Sequence, residues 1–408
     1  MSYPESFKKP ISLEDAVSIC LENSKPTDLA ETISVSDAVG RVLAEDIIAK
    51  IDVPPFARAA MDGFAVRSAD VRCASEKNPI SLKIKSRILA GEASTVSISK
   101  GECVAIATGG MLPRGADAVA MVEITRYDSS HPENVQILEP IAKGEHVILP
   151  GSDIAKGKYV AREGEYLLPA RIGAISSVGR EKCKVYRKPR VVVMPTGNEV
   201  VRPGKRLKPG QVYDVNTFTL FSAASSFGAD ARIADIVGDD HKSISKAVRS
   251  NADADIIVLS GGSSVGEKDL LASVIEKMGK ILFHGVAIKP GKPTLLGKVG
   301  RCLVLGMPGH PTSCLSNAYL FLGPMIRKIG RINIPFAKEM SLILARDVRI
   351  PKDRKLVLPV RVQGAFAIPT FKESSAITSM SSADGFTVLS ANGASLARKG
   401  SIVSVRLY

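Results

Sequence analysis

Between residues 189 and 330 the chain repeats one unit: a short, wholly apolar run, a loop rich in Gly, Pro or carboxylate, then a segment of helical period. The runs RVVVM, DIIVL and CLVLG contain no alternating polar positions, so strands built from them have to be covered on both faces. FTLFSAASSF (ended by Gly228), HKSISKAVRSN and TSCLSNAYLFLGPMIRKI supply helices to cover them. Strands alternating with helices predict βαβ units and a three-layer α/β domain with a parallel-rich sheet. Ligands of such sheets bind beyond the carboxyl ends of the strands. The loops at those ends are therefore the first place to look for chemistry.

The rest of the chain reads differently. SLEDAVSICLENS (12–24) predicts an amphipathic helix capped by Ser12, and SVSDAVGRVLAED (34–46) a second one, from the spacing of Val35, Ala38, Val39 and Val42. Residues 80–126 hold short β-rich runs broken by glycines, the pattern of a small β lobe, and LPARIGAISSVG predicts a further helix. Beyond Gly330 short β runs alternate with Gly, Pro and Ser turns, which predicts a compact β-barrel. A hydrophobic content of 45% excludes a disordered or fibrous chain. No apolar run reaches the length of a membrane span, and the polar start MSYPESFKK has no apolar signal core. Six cysteines without a CxxC pair and five dispersed histidines offer no zinc site by spacing. The expectation is a soluble cytoplasmic protein. Lys and Arg number 55 against 41 Asp and Glu, a net charge of +14, which favours anionic partners. Aromatic residues are 5% with no Trp, too few for a base-stacking platform, and the basic residues form no single run. Neither nucleic acid nor a membrane is expected as a partner.

Four loops at strand ends carry the candidate chemistry. PTGNEV (195–200) presents Glu199, and GDD (238–240) presents two acids that could equally cap the next helix. SGGSSVGEKD (260–269) joins a strand to a helix with Gly261, Gly262, Ser263, Ser264 and Gly266, a nest of N–H groups suited to phosphate, and Asp269 can hold a divalent cation there. Its spacing is neither a Walker A loop nor GxGxxG. KPGKP (289–293) sets Lys289 and Lys292 about a rigid Pro-Gly turn, and GMPGHP (306–311) fixes its turn with Pro308 and Pro311. Two segments of the N-terminal half, AAMDGFAVR with Asp62 and ATGGMLPRGADAV with Thr108, read in isolation as plain hairpins.

Taken in order, AAMDGFAVR, ATGGMLPRGADAV, PTGNEV, GQVYDVN, SGGSSVGEKD, AIKPGKP and GMPGHP resemble the molybdopterin molybdenumtransferase family, that is, MoeA proteins and the E domain of gephyrin, over residues 12–408. The resemblance implies a four-domain subunit: residues 1–53 with 144–180 as a discontinuous linking domain, 54–143 as a β-rich lobe, 181–330 as a central domain like the MogA-type adenylyltransferases, and 331–408 as a β-barrel. It also implies a homodimer with its active site at the subunit interface. The expected reaction inserts molybdate into adenylylated molybdopterin and releases AMP, with Mg²⁺ or another divalent cation as cofactor. Asp62, Thr108, Glu199, Asp239 or Asp240, and Asp269 match catalytic positions, with Asp269, Asp240 and Glu199 as the expected metal ligands. Lys289, Lys292, Pro308 and Pro311, the glycines and serines of the 260–269 loop, Asp153, and Ser375 in ESSAITS match substrate positions. Asp153 stands in a segment whose family pattern is R-x-x-G-E-D, but Ile148 and Ser152 replace its Arg and Glu. A molybdopterin adenylyltransferase is the implied upstream partner. The alternatives are a tungstate-inserting paralogue, an adenylyltransferase activity of the central domain itself, and a gephyrin-like scaffold, which the lack of a long linker disfavours.

Overall fold

The computed structural model describes residues 9–128, 130–261, 270–334, 338–391 and 395–408. The apolar runs of the central region form a six-stranded sheet in the order Asp230–Ile233, Arg190–Pro195, Ile256–Ser260, Cys302–Met307, Leu295–Val299, Lys280–His284. The first four strands are parallel, and the last two close the edge as antiparallel neighbours. Alternate residues of each strand face opposite layers. Val191, Val193, Ile256, Val258, Leu303 and Leu305 pack with Leu220, Phe321 and Ile326, while Val192, Met194, Ile257, Leu259 and Val304 pack with Ile244, Val248, Leu271 and Ile275. The long apolar helix runs from Pro311 to Ile329 with a π-helical turn at Ala318–Leu322.

The chain divides into two compact units. One holds the described residues up to Thr32, Gly40–Ala44 and Lys184–Tyr408, and the other holds Ile33–Val39 and Glu45–Cys183. In the first, the helix Leu13–Asn23, capped by the Ser12 side chain on the Asp15 amide, sends Leu13, Ala16 and Cys20 into the same core as Phe321. Five strands close a barrel in the C-terminal region: Lys355–Gln363, Phe366–Pro369, Glu339–Leu344, Ile402–Leu407 and Gly385–Leu389, the last pairing back on the first. The stretch KILFHGVAIK divides between domains. Lys280–His284 stays in the central sheet, whereas Ile288–Lys289 runs parallel to the barrel strand Lys355–Gln363. Barrel residues Val357 and Phe386 share the core of the central domain.

In the second unit, a six-stranded sheet runs in the order Ala118–Met121, Gly63–Val66, Glu102–Ile106, Ile80–Ile88, Asn134–Ile137, Thr125–Tyr127 over a core of Phe64, Leu82, Cys103, Val135 and Ile137. The helix expected at 168–179 forms at Pro169–Ser177. The helix expected over 34–46 does not. Only Val35–Asp37 makes a single 3₁₀ turn, Gly40 takes a left-handed φ of 78°, and Leu43 bridges Val185. A mid-segment glycine and β-branched valines give helix little intrinsic support, so tertiary pairing decides. No helix of the described residues is long and apolar enough to cross a membrane. Burial pushes the thiols of Cys20, Cys103 and Cys302 up to about 12, so they behave as small hydrophobes rather than nucleophiles.

Phe321 is fully buried where central sheet, long helix and N-terminal helix meet. Phe321→Ala is expected to destabilise the first unit by about 3–5 kcal/mol, read as a lower urea midpoint. An unchanged midpoint would mean that the site collapses around the lost ring.

Candidate functional site

The loop after Arg190–Pro195 is shaped by a close approach. Thr196 is buried, and both its amide and hydroxyl donate to Ser260 O at 3.2 Å, tying the ends of two neighbouring strands together. Gly197 has φ 130°, and a Cβ there would lie 2.9 and 3.0 Å from the carboxylate oxygens of Glu199. Glycine is thus required for the Glu199 carboxylate to fold back over its own loop. Asn198 N donates to Asp239 Oδ2 at 3.3 Å, and Asp239 Oδ1 is buried with no hydrogen-bond partner among the described residues. Its neighbour Asp240 caps the helix His241–Ser250, accepting from Ser243 N at 2.9 Å, and the hydroxyl and amide of Ser243 hold its carboxyl below the usual aspartate range. Of the two acids left open by sequence, Asp240 serves the helix and Asp239 faces the Glu199 loop.

The lysine turn is held from beneath. Gly291 has φ 114°, and its carbonyl accepts from Thr294 Oγ1 at 2.7 Å and from Asn317 Nδ2 at 3.3 Å. Opposite, Asn216 Nδ2 donates to Gly309 O at 2.7 Å and steadies the GMPGHP turn. A third wall comes from the barrel. Ser374 Oγ lies 2.9 Å from His310 Nδ1, and Thr312 donates through its amide to Ser374 O and through its hydroxyl to Ala376 O.

These walls enclose a cavity of about 820 Å³. Glu199, Gly261, Lys289, Lys292, Pro308 and Ser375, all expected from sequence, line it together. Arg354, Lys372, Glu373 and His310 line it as well and were not foreseen. Arg354 and Lys372 come from barrel turns with no motif of their own, whereas His310 stood in plain view within GMPGHP. Four lining cations face two lining carboxylates and Asp353, which pairs with Arg354, so the cavity keeps a small positive excess that favours an anion. The Arg354 guanidinium is oriented by a two-point contact with Asp353 at 3.0 and 2.7 Å. Pro311 does not line the cavity but opens the helix Pro311–Asn317 as its first residue. Gly262, Ser263, Ser264, Gly266 and Asp269 lie outside the described residues. Among the described residues no group of three or more His, Cys, Asp or Glu is arranged to hold a metal ion.

In the second unit, Asp62 and Thr108 meet. Thr108 N and Oγ1 both donate to Asp62 Oδ1, at 2.6 and 3.0 Å, and these bonds hold the exposed carboxyl below the usual aspartate range. Asp153 is exposed on a loop anchored by its amide to Val53 O, and Ile148, where the family pattern has Arg, pairs across a two-strand ladder with Arg58.

Residues 11–179 match the MoeA N-terminal region (domain I and II), residues 192–328 a probable molybdopterin binding domain, and residues 341–408 the MoeA C-terminal region (domain IV). The chain is 33% identical over 320 residues to a molybdopterin molybdenumtransferase of Haemophilus influenzae, covering 78% of each protein. It is 30% identical over 392 residues to the Bacillus subtilis protein of that name, covering 94% of this chain and 90% of that one. The crystal structure of a molybdopterin biosynthesis MoeA protein from Pyrococcus horikoshii superposes with a TM-score of 0.82 at 38% identity, over 98% of this chain and 99% of that one.

Thr108→Ala keeps the amide donor to Asp62 and removes the hydroxyl. The Asp62 titration is expected to move up toward the ordinary aspartate value without reaching it, read by carboxyl-carbon NMR. Because the folded-state value is depressed, the stability linked to Asp62 is present above the ordinary aspartate pKa and is lost as pH falls through the folded value. In the variant that loss should begin at higher pH, and an unmoved titration would show that the hydroxyl bond contributes nothing.

Proposed function

The chain belongs to the molybdopterin molybdenumtransferase (MoeA) family, and on that premise we propose that it inserts molybdate into adenylylated molybdopterin with release of AMP, as a transferase of molybdenum cofactor biosynthesis. The observation that carries the reading is the convergence of Lys289, Lys292, Arg354 and Lys372 on one cavity at the carboxyl end of the central sheet. Adenylylated molybdopterin and molybdate are both anions. Cleaving a phosphoanhydride needs positive charge on the phosphates and fixed dipoles rather than covalent chemistry. The lysines and Arg354 supply that charge, and Gly261 and the rigid Pro308 turn line the side of the cavity. The barrel loop bearing Ser374 and Ser375 forms the far wall of the cavity.

The oxygen donors present suit a hard divalent cation. Glu199 lines the cavity, and Asp239 Oδ1 is a buried carboxylate oxygen without a partner among the described residues. Mg²⁺ typically takes one or two carboxylates and completes its shell with water and substrate phosphate, so an incomplete protein set fits it better than a full cage would. Glu199 and Asp239, with Asp269 as the third acid and Asp240 as the alternative to Asp239, would hold the ion, which when bound neutralises phosphate charge. The subunit is proposed to act as a cytoplasmic homodimer in which Asp62 and Thr108 of one protomer complete the partner's site, with an adenylyltransferase supplying the substrate.

The test is AMP release from adenylylated molybdopterin, followed with molybdate, with tungstate and with neither. Lys289→Ala and Lys292→Ala are each expected to lower kcat/KM for molybdate-dependent release by about 10²-fold, chiefly through KM, because each lysine meets phosphate charge in ground state and transition state alike. Asp62→Ala and Asp269→Ala should reduce it at least as much, and a chelator should abolish it until Mg²⁺ is restored. Undiminished rates in both aspartate variants would sink the assignment. Unaided consumption of ATP with metal-free molybdopterin would instead mark an adenylyltransferase.

A further inference from the structure

The two cavity lysines stand on a turn that has almost no support of its own. Between Ile288–Lys289, paired to the barrel, and Leu295–Val299, in the central sheet, the chain has to cross from one domain to the other within five residues. The turn's backbone bonds are local: Val286 N and Thr294 N both donate to Lys292 O, at 2.9 Å. Beyond the two-residue ladder that registers Lys289 on the barrel, the side chain that ties the Gly291 turn to the long helix is Asn317. This residue sits fully buried on the helix Pro311–Asn317, immediately before the π-helical turn. Its Nδ2 donates to Gly291 O and to Thr294 Oγ1, while Thr294 Oγ1 donates to the same Gly291 carbonyl, a closed three-way set. The carbonyl acceptor fixes which end of the amide is nitrogen. Asn317 Oδ1 is then left buried without a hydrogen-bond partner among the described residues, 2.6 Å from where a Gly291 Cβ would stand. A buried polar atom left unmatched costs stability, and the arrangement leaves no room for any residue but glycine at position 291. Side chain and turn are fitted to one another.

We infer that Asn317 is a positioning residue for anion binding: a buried strut from the long helix that sets where Lys289 and Lys292 stand over the cavity. Asn317 does not line the cavity, and among the described residues its side-chain hydrogen bonds go to the turn. The inference rests on the proposed reading of the cavity, so its test has one arm that depends on that reading and one that does not. In the independent arm, Asn317→Ala is expected to speed amide exchange at Gly285, Val286 and Thr294 about tenfold while distant strands keep their protection. In the dependent arm the same variant is expected to raise KM for adenylylated molybdopterin about tenfold with kcat within about twofold, since ground-state and transition-state phosphates lose the same charge placement. Asn317→Asp, which keeps shape but sets an oxygen against Gly291 O, should do no better than alanine.

A strut acting through the lysines also has a signature that a purely structural residue lacks. In a Lys292→Ala background the added effect of Asn317→Ala on KM should shrink to about twofold or less. Unchanged exchange in the turn, an unchanged KM, or effects of Asn317 and Lys292 that simply multiply would each overturn the inference. If the wild-type protein releases no molybdate-dependent AMP, the functional reading fails, and exchange alone then decides whether the strut exists.

Discussion

One hydrophobic core runs through the central sheet, the N-terminal helix and the barrel, and the cavity exists because these three parts share it. Phe321 from the long helix lies 6.3 Å from Phe283 of the sheet edge, and Tyr319, two residues before it, packs its ring at a tilt against Phe386 and Tyr408 of the barrel at 6.1 and 4.7 Å. Leu13, Ala16 and Cys20 close the remaining side. Interiors of this kind are close-packed and resist small displacements. The walls of the cavity are short loops leaving that rigid body, held by Pro, by buried Thr and Asn side chains, and by glycines where chains approach closely. Preorganised charge is therefore built into the packing rather than gathered when substrate arrives.

Much of this was legible in sequence, for a physical reason. Strands buried on both faces leave unbroken apolar runs, and the loops at their carboxyl ends are the places where backbone polarity is free to meet a ligand. That logic located Glu199, Gly261, Lys289, Lys292 and Pro308 before any contact was known. It failed where a local signal was ambiguous. Val35 to Leu43 has helical spacing, but Gly40 and the valines give way to pairing with the 184–186 segment. Leu295–Val299 escaped notice because Gly297 interrupts a run that directly follows a Pro-rich turn. Asp239 and Asp240 are neighbours in sequence, and only the helix cap distinguishes them. Arg354 and Lys372 become site residues through the docking of the barrel, which no local pattern encodes. The meeting of Asp62 with Thr108, 46 residues on, was legible only through the resemblance of their two segments to one family.

The charge balance also takes on a location. Within the first unit many basic side chains are matched by acids: Arg187 and Arg190 meet Asp255 and Asp253, Arg41 meets Glu31, and Arg406 meets Glu339. The exposed pairs among them, Arg190–Asp253 and Arg406–Glu339, contribute little to stability. Around the cavity Arg354 is likewise paired, with Asp353, while Lys289, Lys292 and Lys372 face Glu199 and Glu373, which leaves a small positive excess. Part of the surplus that composition reports for the whole chain thus lies at the cavity.

The short strand Ile288–Lys289 has a consequence for how far the domains can be regarded as modules. It belongs by sequence to the central domain and by hydrogen bonding to the barrel, beside Lys355 and Leu356. Cutting the chain near residue 330 would remove the ladder that registers Lys289, and would also withdraw Val357 and Phe386 from the shared core. A central domain isolated in this way keeps its sheet and its strand-end loops yet loses the alignment of its lysines. Evolutionary exchange of one barrel for another meets the same obstacle. A replacement has to reproduce a two-residue seam as well as a fold, so barrel and central domain are bound to change together.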